Sequence, residues 1–127
     1  PHESYVDKHR SCSHGLCETT VAEQHEDYLR PQENGSHTDC DYLEIKNKNT
    51  VFTAIGNQPF SFNVSSYTQE ELTKKKHSYE LEPSGYTVVC LDYAQSGIGS
   101  NSCGPVLSEK YQLNQNHFEF DMTLIWK

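Results

Sequence analysis

The stretch that decides the fold is Phe60-Ser61-Phe62-Asn63-Val64, in which apolar and polar side chains alternate strictly. Successive side chains of a β-strand point to opposite faces of a sheet, so this period of two predicts a strand with Phe60, Phe62 and Val64 on one face. Upstream of it, "TVFTAI" at 50–55 is rich in the β-branched and aromatic residues that favour strands. The centre of the chain therefore predicts β-structure.

The same pattern continues outward in both directions. "DCDYLEI" at 39–45 and "YTVVCLDYA" at 86–94 read as strands, and "LCETTV" at 16–21 is a shorter β-prone run. In "HFEFDMTLIW" at 117–126 every second residue is large and apolar, which predicts one buried face. The residues of that face are Phe118, Phe120, Met122, Leu124 and Trp126.

A single helix interrupts the strands. In "SSYTQEELTKKK" at 65–76, Thr68 followed three residues later by Glu71 fits a capping box, and Leu72 follows directly. About six or seven short strands without alternating helices predict an all-β fold, an antiparallel β-sandwich with one short surface helix. We expect residues 1–127 to belong to one domain.

Composition and charge exclude several classes of function. The 127 residues carry a net charge of −8, and Lys74-Lys75-Lys76 is the longest basic run, which argues against a nucleic-acid partner. No stretch approaches about 20 consecutive apolar residues, which argues against a membrane partner. Five cysteines, an odd number without a dense framework, favour free thiols in a reducing compartment, so we expect a cytoplasmic protein.

Two groups of residues invite a chemical interpretation. "HRSCSHGLC" places His9, Cys12, His14 and Cys17 within nine residues, but structural zinc sites usually draw their ligands from two separated segments. We expect no metal there. Acidic pairs such as Glu70 with Glu71, Glu26 with Asp27 and Glu80 with Glu82 lie in polar stretches, and a solvated surface is the better interpretation.

The loop "GIGSNSCGP" at 97–105 separates two apolar segments. Its glycines allow a close approach of the backbone, and Ser100, Asn101 and Ser102 present groups that meet sugar hydroxyls or hold a loop to its own backbone. Composition leaves a structural turn and a ligand-facing loop both open.

Five motifs follow one another along the chain, namely "RPQENG" at 30–35, "FSFNVSSYTQEEL" at 60–72, "GIGSNSCGP" at 97–105, "EKYQL" at 109–113 and the terminal "LIWK". Together they resemble the C-terminal domain of glycoside hydrolase family 2 β-galactosidases, which implies that residues 1–127 are the C-terminal portion of that β-sandwich domain. The resemblance runs through most of the chain and covers about the last half of that domain. It implies a large β-sandwich that follows a catalytic (β/α)₈ barrel.

The resemblance also implies a function. In this family two glutamates of the barrel carry out a retaining hydrolysis of β-galactosides such as lactose, and neither lies in the matching portion. No catalytic residue and no cofactor is therefore expected in this chain, while Mg²⁺ and Na⁺ belong to the parent's barrel. The parent is expected to be a homo-oligomer, with this chain in contact with its barrel and other domains.

The family's loop corresponding to 97–105 reaches the mouth of the barrel, where a tryptophan lies under the incoming sugar. Cys103 takes that position here, so Asn101, Ser102 and Cys103 are the expected substrate-binding residues, although Cys103 lacks an aromatic face. Two alternatives remain, a free-standing carbohydrate-binding β-sandwich module and a small metal-binding interaction domain. The alternating aromatics resemble core residues more than a sugar-binding face.

Overall fold

A computed structural model describes residues 15–27, 35–96 and 106–127 of the chain. Its described part is an antiparallel sheet with one short α-helix, which confirms the all-β prediction. The strands are β1 (His37–Lys46), β2 (Val51–Ser65), β3 (Val88–Asp92) and β4 (Met122–Trp126). The helix is α1 (Gln69–Lys74), and short 3₁₀ helices cover Val21–Gln24, Ser78–Glu80 and Glu109–Tyr111.

The long strand β2 pairs with every other strand of the described sheet. β1 runs along one edge of it, from the pair Lys46 with Val51 to the pair His37 with Phe62. The other edge of β2 is shared, because β4 pairs with residues 52–56 and β3 pairs with residues 61–65. All three pairings are antiparallel, so β2 holds the sheet together.

The prediction of six or seven strands was wrong for the described residues, which contain four. "TVFTAI" and "FSFNV" are two ends of the single strand β2. Between them lie Gly56 and Pro59, and the β1 register shifts around Cys40. A Cβ on Gly56 would overlap with the carbonyl oxygen of Gln58, so only glycine fits this irregularity. "LCETTV" is also not a strand, since a 3₁₀ helix begins at Val21.

The core lies on one face of the sheet around Phe60, whose side chain is only 1% exposed. Leu43, Ala54 and Val64 are buried with it, and the predicted alternation through Phe62 is confirmed because Phe62 packs against this cluster. The opposite face of the same half of β2 is buried too, but it carries polar side chains, namely Ser61, Asn63 and Ser65.

The predicted helix is present, and its start is capped as expected on one side only. The Thr68 hydroxyl accepts the backbone N–H of Glu71 at 3.1 Å. The Glu71 carboxylate accepts instead from the backbone N–H of Glu82 at 3.0 Å and pairs with Lys75 at 3.4 Å. Glu71 therefore ties the helix to the chain that follows the 3₁₀ turn.

The expected fully buried face of the last strand is only partly correct. Met122, Leu124 and Trp126 do point to the same face as Leu43 and Ala54, as the cross-strand register requires. Phe120 and Met122 pack against the core, whereas Leu124 is 43% and Trp126 64% exposed. Phe118 is exposed as well. Within β4, alternation predicted the direction of these side chains correctly but not their burial.

Truncation of the central aromatic tests this assignment of the core. Phe60→Ala should reduce the free energy of unfolding by about 3–5 kcal/mol, because it opens a cavity in the buried cluster on the core face of the sheet. Trp126→Ala should cost clearly less, since most of that side chain is in water already. Denaturant unfolding of the two variants measures both values, and an equal loss would show that the core lies elsewhere.

Candidate functional site

The residues predicted to bind substrate, Asn101, Ser102 and Cys103, lie outside the described residues, as does the whole of 97–105. The structure describes the chain on either side of this loop. β3 leads into it and ends at Asp92, and the 3₁₀ helix Glu109–Tyr111 follows it. The candidate site is therefore described through the contacts between these two flanks.

Hydrogen bonds and ring contacts join the two flanks. The backbone N–H of Leu113 donates to the Ser96 hydroxyl at 2.8 Å. The Tyr93 hydroxyl donates to the side-chain oxygen of Gln115 at 3.4 Å. The Tyr93 ring meets Phe118 and Phe120 edge to face, with centroid distances of 5.1 and 5.8 Å. Residues before and after 97–105 are thus packed together. We call this group, which contains Tyr93, Ser96 and their contact partners, the base of the loop.

Asp92 lies next to these packed flanks, and its carboxyl group is partly removed from water. It closes β3 opposite Ser61 of β2 and is about half-buried. Burial raises the pKa of the Asp92 carboxyl, because removal from water disfavours the charged form. Three residues further on, the side-chain nitrogen of Gln95 is buried without a hydrogen-bond partner in the described part of the chain.

The raised pKa of Asp92 predicts a pH-dependent stability. Ionised Asp92 is less favourable in the folded protein than in the unfolded chain, so stability falls as pH rises from the ordinary value of 3.8 through the raised one. Asp92→Asn removes this penalty. The variant should therefore be more stable than the wild type at about pH 7 and equal to it at about pH 3.

The measurement is the free energy of unfolding in urea at both pH values, with the exposed Asp121→Asn as the matched control. A gain that persists unchanged at the acidic pH would contradict an ionisation effect.

The structure describes the residues of the possible metal site only in part, and it describes those of the acidic pairs. His9, Cys12 and His14 lie outside the described residues, while Cys17 is an exposed free thiol. Over 15–27, 35–96 and 106–127, no three His, Cys, Asp or Glu side chains come together as a metal site. Among the acidic residues, Glu71 and Glu80 accept backbone N–H groups, which is a structural task.

A shallow, largely open concave surface that the sequence did not indicate lies at the turn that follows α1. We call it the turn cleft. One wall is the segment 76–81, which contains the 3₁₀ helix Ser78–Glu80, and the other wall comes from residues before β1 and after β2. In the sequence, only the spacing of His77 and Tyr79 could have pointed to this surface. Their rings stack with a centroid distance of 5.1 Å. The lining residues are His25, Asp27, Tyr67, Lys76, His77, Ser78, Tyr79 and Leu81.

None of the described helices has the length and apolar character needed to cross a membrane.

Comparison with known proteins extends over nearly the whole chain. Residues 1–124 match the family model described as "Beta galactosidase small chain". A β-galactosidase of Actinobacillus pleuropneumoniae is 55% identical over 98% of the chain, and one of Staphylococcus xylosus is 43% identical over 98%. A β-galactosidase of Kluyveromyces lactis is 34% identical over 100%. The chain spans 12% of the length of each of these relatives.

Proposed function

Because the chain belongs to the β-galactosidase small-chain family, we propose that it works as one segment of a longer β-galactosidase that hydrolyses terminal β-D-galactosides such as lactose. The observation that carries this proposal is the match over residues 1–124 together with the 12% share of each relative. The segment scaffolds the enzyme through its sheet. It does not supply the reacting carboxylates.

The chemistry of the proposed enzyme follows from the family resemblance. A retaining glycosidase uses two carboxyl groups about 5–5.5 Å apart, one as general acid/base and one as nucleophile. Both belong to the barrel of the parent, as do the Mg²⁺ and Na⁺ sites. Partners of this chain are accordingly the barrel and the other domains of the parent, which we expect to be a cytoplasmic homo-oligomer.

The proposed contribution of this chain to the reaction is the loop 97–105 at the acceptor side of the active site. The amide of Asn101 and the hydroxyl of Ser102 can exchange hydrogen bonds with sugar hydroxyls. The thiol of Cys103 offers polarisable contact but no ring to stack on a pyranose. The packed base formed by Tyr93, Ser96 and their partners supports this role, because it fixes where the loop leaves and rejoins the fold.

The activity assay compares the isolated chain with the full-length parent on a chromogenic β-galactoside. The parent should turn over substrate, and the isolated chain should not exceed a buffer blank, because the reacting carboxylates are elsewhere. Turnover by the chain that disappears on replacing one of its own glutamates would contradict the proposal.

The loop is tested by Cys103→Trp in the full-length parent. A ring at this position should change kcat/KM and the ratio of transfer to hydrolysis in a way that depends on the aglycone, by about twofold to tenfold. Inhibition by free galactose should stay the same. Cys17→Trp, at an exposed cysteine, is the matched control. Equal kinetics of Cys103→Trp and wild type across several aglycones would show that the loop does not contact the acceptor.

A further inference from the structure

We propose that the turn cleft binds a neutral carbohydrate, with the exposed ring of Tyr79 as the surface on which a pyranose stacks. The inference uses residues 25–27, 67 and 76–81, none of which belongs to the loop 97–105 or its base. It depends on the proposed function only for the choice of a galactose polymer as the probe.

Hydrogen bonds hold the turn that presents this ring. The Glu80 carboxylate accepts the backbone N–H groups of Lys76 and His77, at 3.0 and 3.1 Å. Backbone bonds from Glu80 to His77 and from Leu81 to Ser78 close the 3₁₀ turn. The accepted N–H groups also lower the pKa of Glu80, because they stabilise its ionised form. Tyr79 therefore sits on a preorganised turn.

The aromatic side chains of the cleft leave a flat apolar surface in water. Tyr79 is 83% exposed, although its ring is stacked almost parallel to His77, at an interplanar angle of 14°. Since His77 covers one face of the tyrosine ring, the high exposure of Tyr79 among the described residues places its other face toward solvent. On the opposite wall His25 meets Tyr67 edge to face at 4.9 Å. Ring faces combined with nearby polar groups are typical of sites for ligands with both apolar and hydroxyl-bearing surfaces.

The charges of the cleft lining favour a neutral ligand over an anionic one. Apart from its histidines, the described lining carries one cationic side chain, Lys76, and one anionic side chain, Asp27, so neither sign of charge dominates. A phosphate or a carboxylate would find no cluster of cations such as anion-binding sites use. A neutral ligand rich in hydroxyls can accept from Lys76, donate to Asp27 and exchange a hydrogen bond with Ser78. A carbohydrate has this chemistry together with the apolar C–H face that stacks on an aromatic ring.

The experiment is affinity electrophoresis of the full-length parent through gels that contain soluble galactan, with polygalacturonate gels as the charged counterpart. Galactan should retard the wild type more than polygalacturonate does. Tyr79→Ala should weaken the affinity for galactan by about twofold to tenfold, whereas Tyr79→Phe, which keeps the ring, should retain it. Tyr86→Ala removes another tyrosine that is 66% exposed but does not line the cleft, and it should behave as the wild type.

Each variant is also assayed on a small chromogenic galactoside, which keeps this test separate from the proposed function. Unchanged kcat/KM combined with lost retardation supports carbohydrate binding at the turn cleft. Equal retardation of wild type, Tyr79→Ala and Tyr86→Ala overturns the proposal, as does a wild type that galactan does not retard. A Tyr79→Ala enzyme that loses thermal stability with unchanged retardation would assign the cleft to contact with another part of the parent polypeptide.

Discussion

The pairing of one strand with all the others is the constraint on which the described structure depends. β2 carries β1 along one edge and β4 and β3 in succession along the other. Its side chains also supply Ala54, Phe60 and Val64, three of the four residues of the buried cluster. Backbone pairing and core packing thus use the same residues. A shift of β2 by one residue would move every apolar side chain of the strand to the opposite face.

The sequence predicted those parts of the fold that depend on local pattern. Alternation and β-branched or aromatic composition identified β1, β3 and both ends of β2, and the capping pattern at Thr68 located the start of α1. The continuity of β2 and the burial of the β4 side chains were harder to predict, because both depend on contacts with other parts of the sheet. "TVFTAI" and "FSFNV" were interpreted as separate strands, yet they are continuous in β2, whose residues 56–59 bulge between the pairs Tyr42 with Ile55 and Cys40 with Phe60. Likewise, alternation cannot say whether anything covers Leu124 and Trp126.

The candidate site shows the same difference between features set by local sequence and features set by long-range contacts. Composition left the role of the loop 97–105 open, and only the resemblance to a family gave Asn101, Ser102 and Cys103 a role. The base of the loop escaped sequence reasoning because its contacts join residues about twenty positions apart, such as Tyr93 with Gln115. The turn cleft was missed for a related reason, since His25 and Tyr67 meet the segment 76–81 only in the folded chain.

The exposed end of the core face bears on how the chain works. Leu124 and Trp126 extend the same apolar face as Leu43 and Ala54, and the Trp126 ring contacts Phe52 at 5.0 Å, yet most of its surface remains in water. Burial of apolar area is the main favourable term in folding, at about 25 cal/mol per Å². A sheet that leaves part of its core face uncovered gives up some of this stabilisation. Packing of that face against further protein would recover it, which supports the proposal that the chain works as a segment of a longer enzyme and not as a free-standing module.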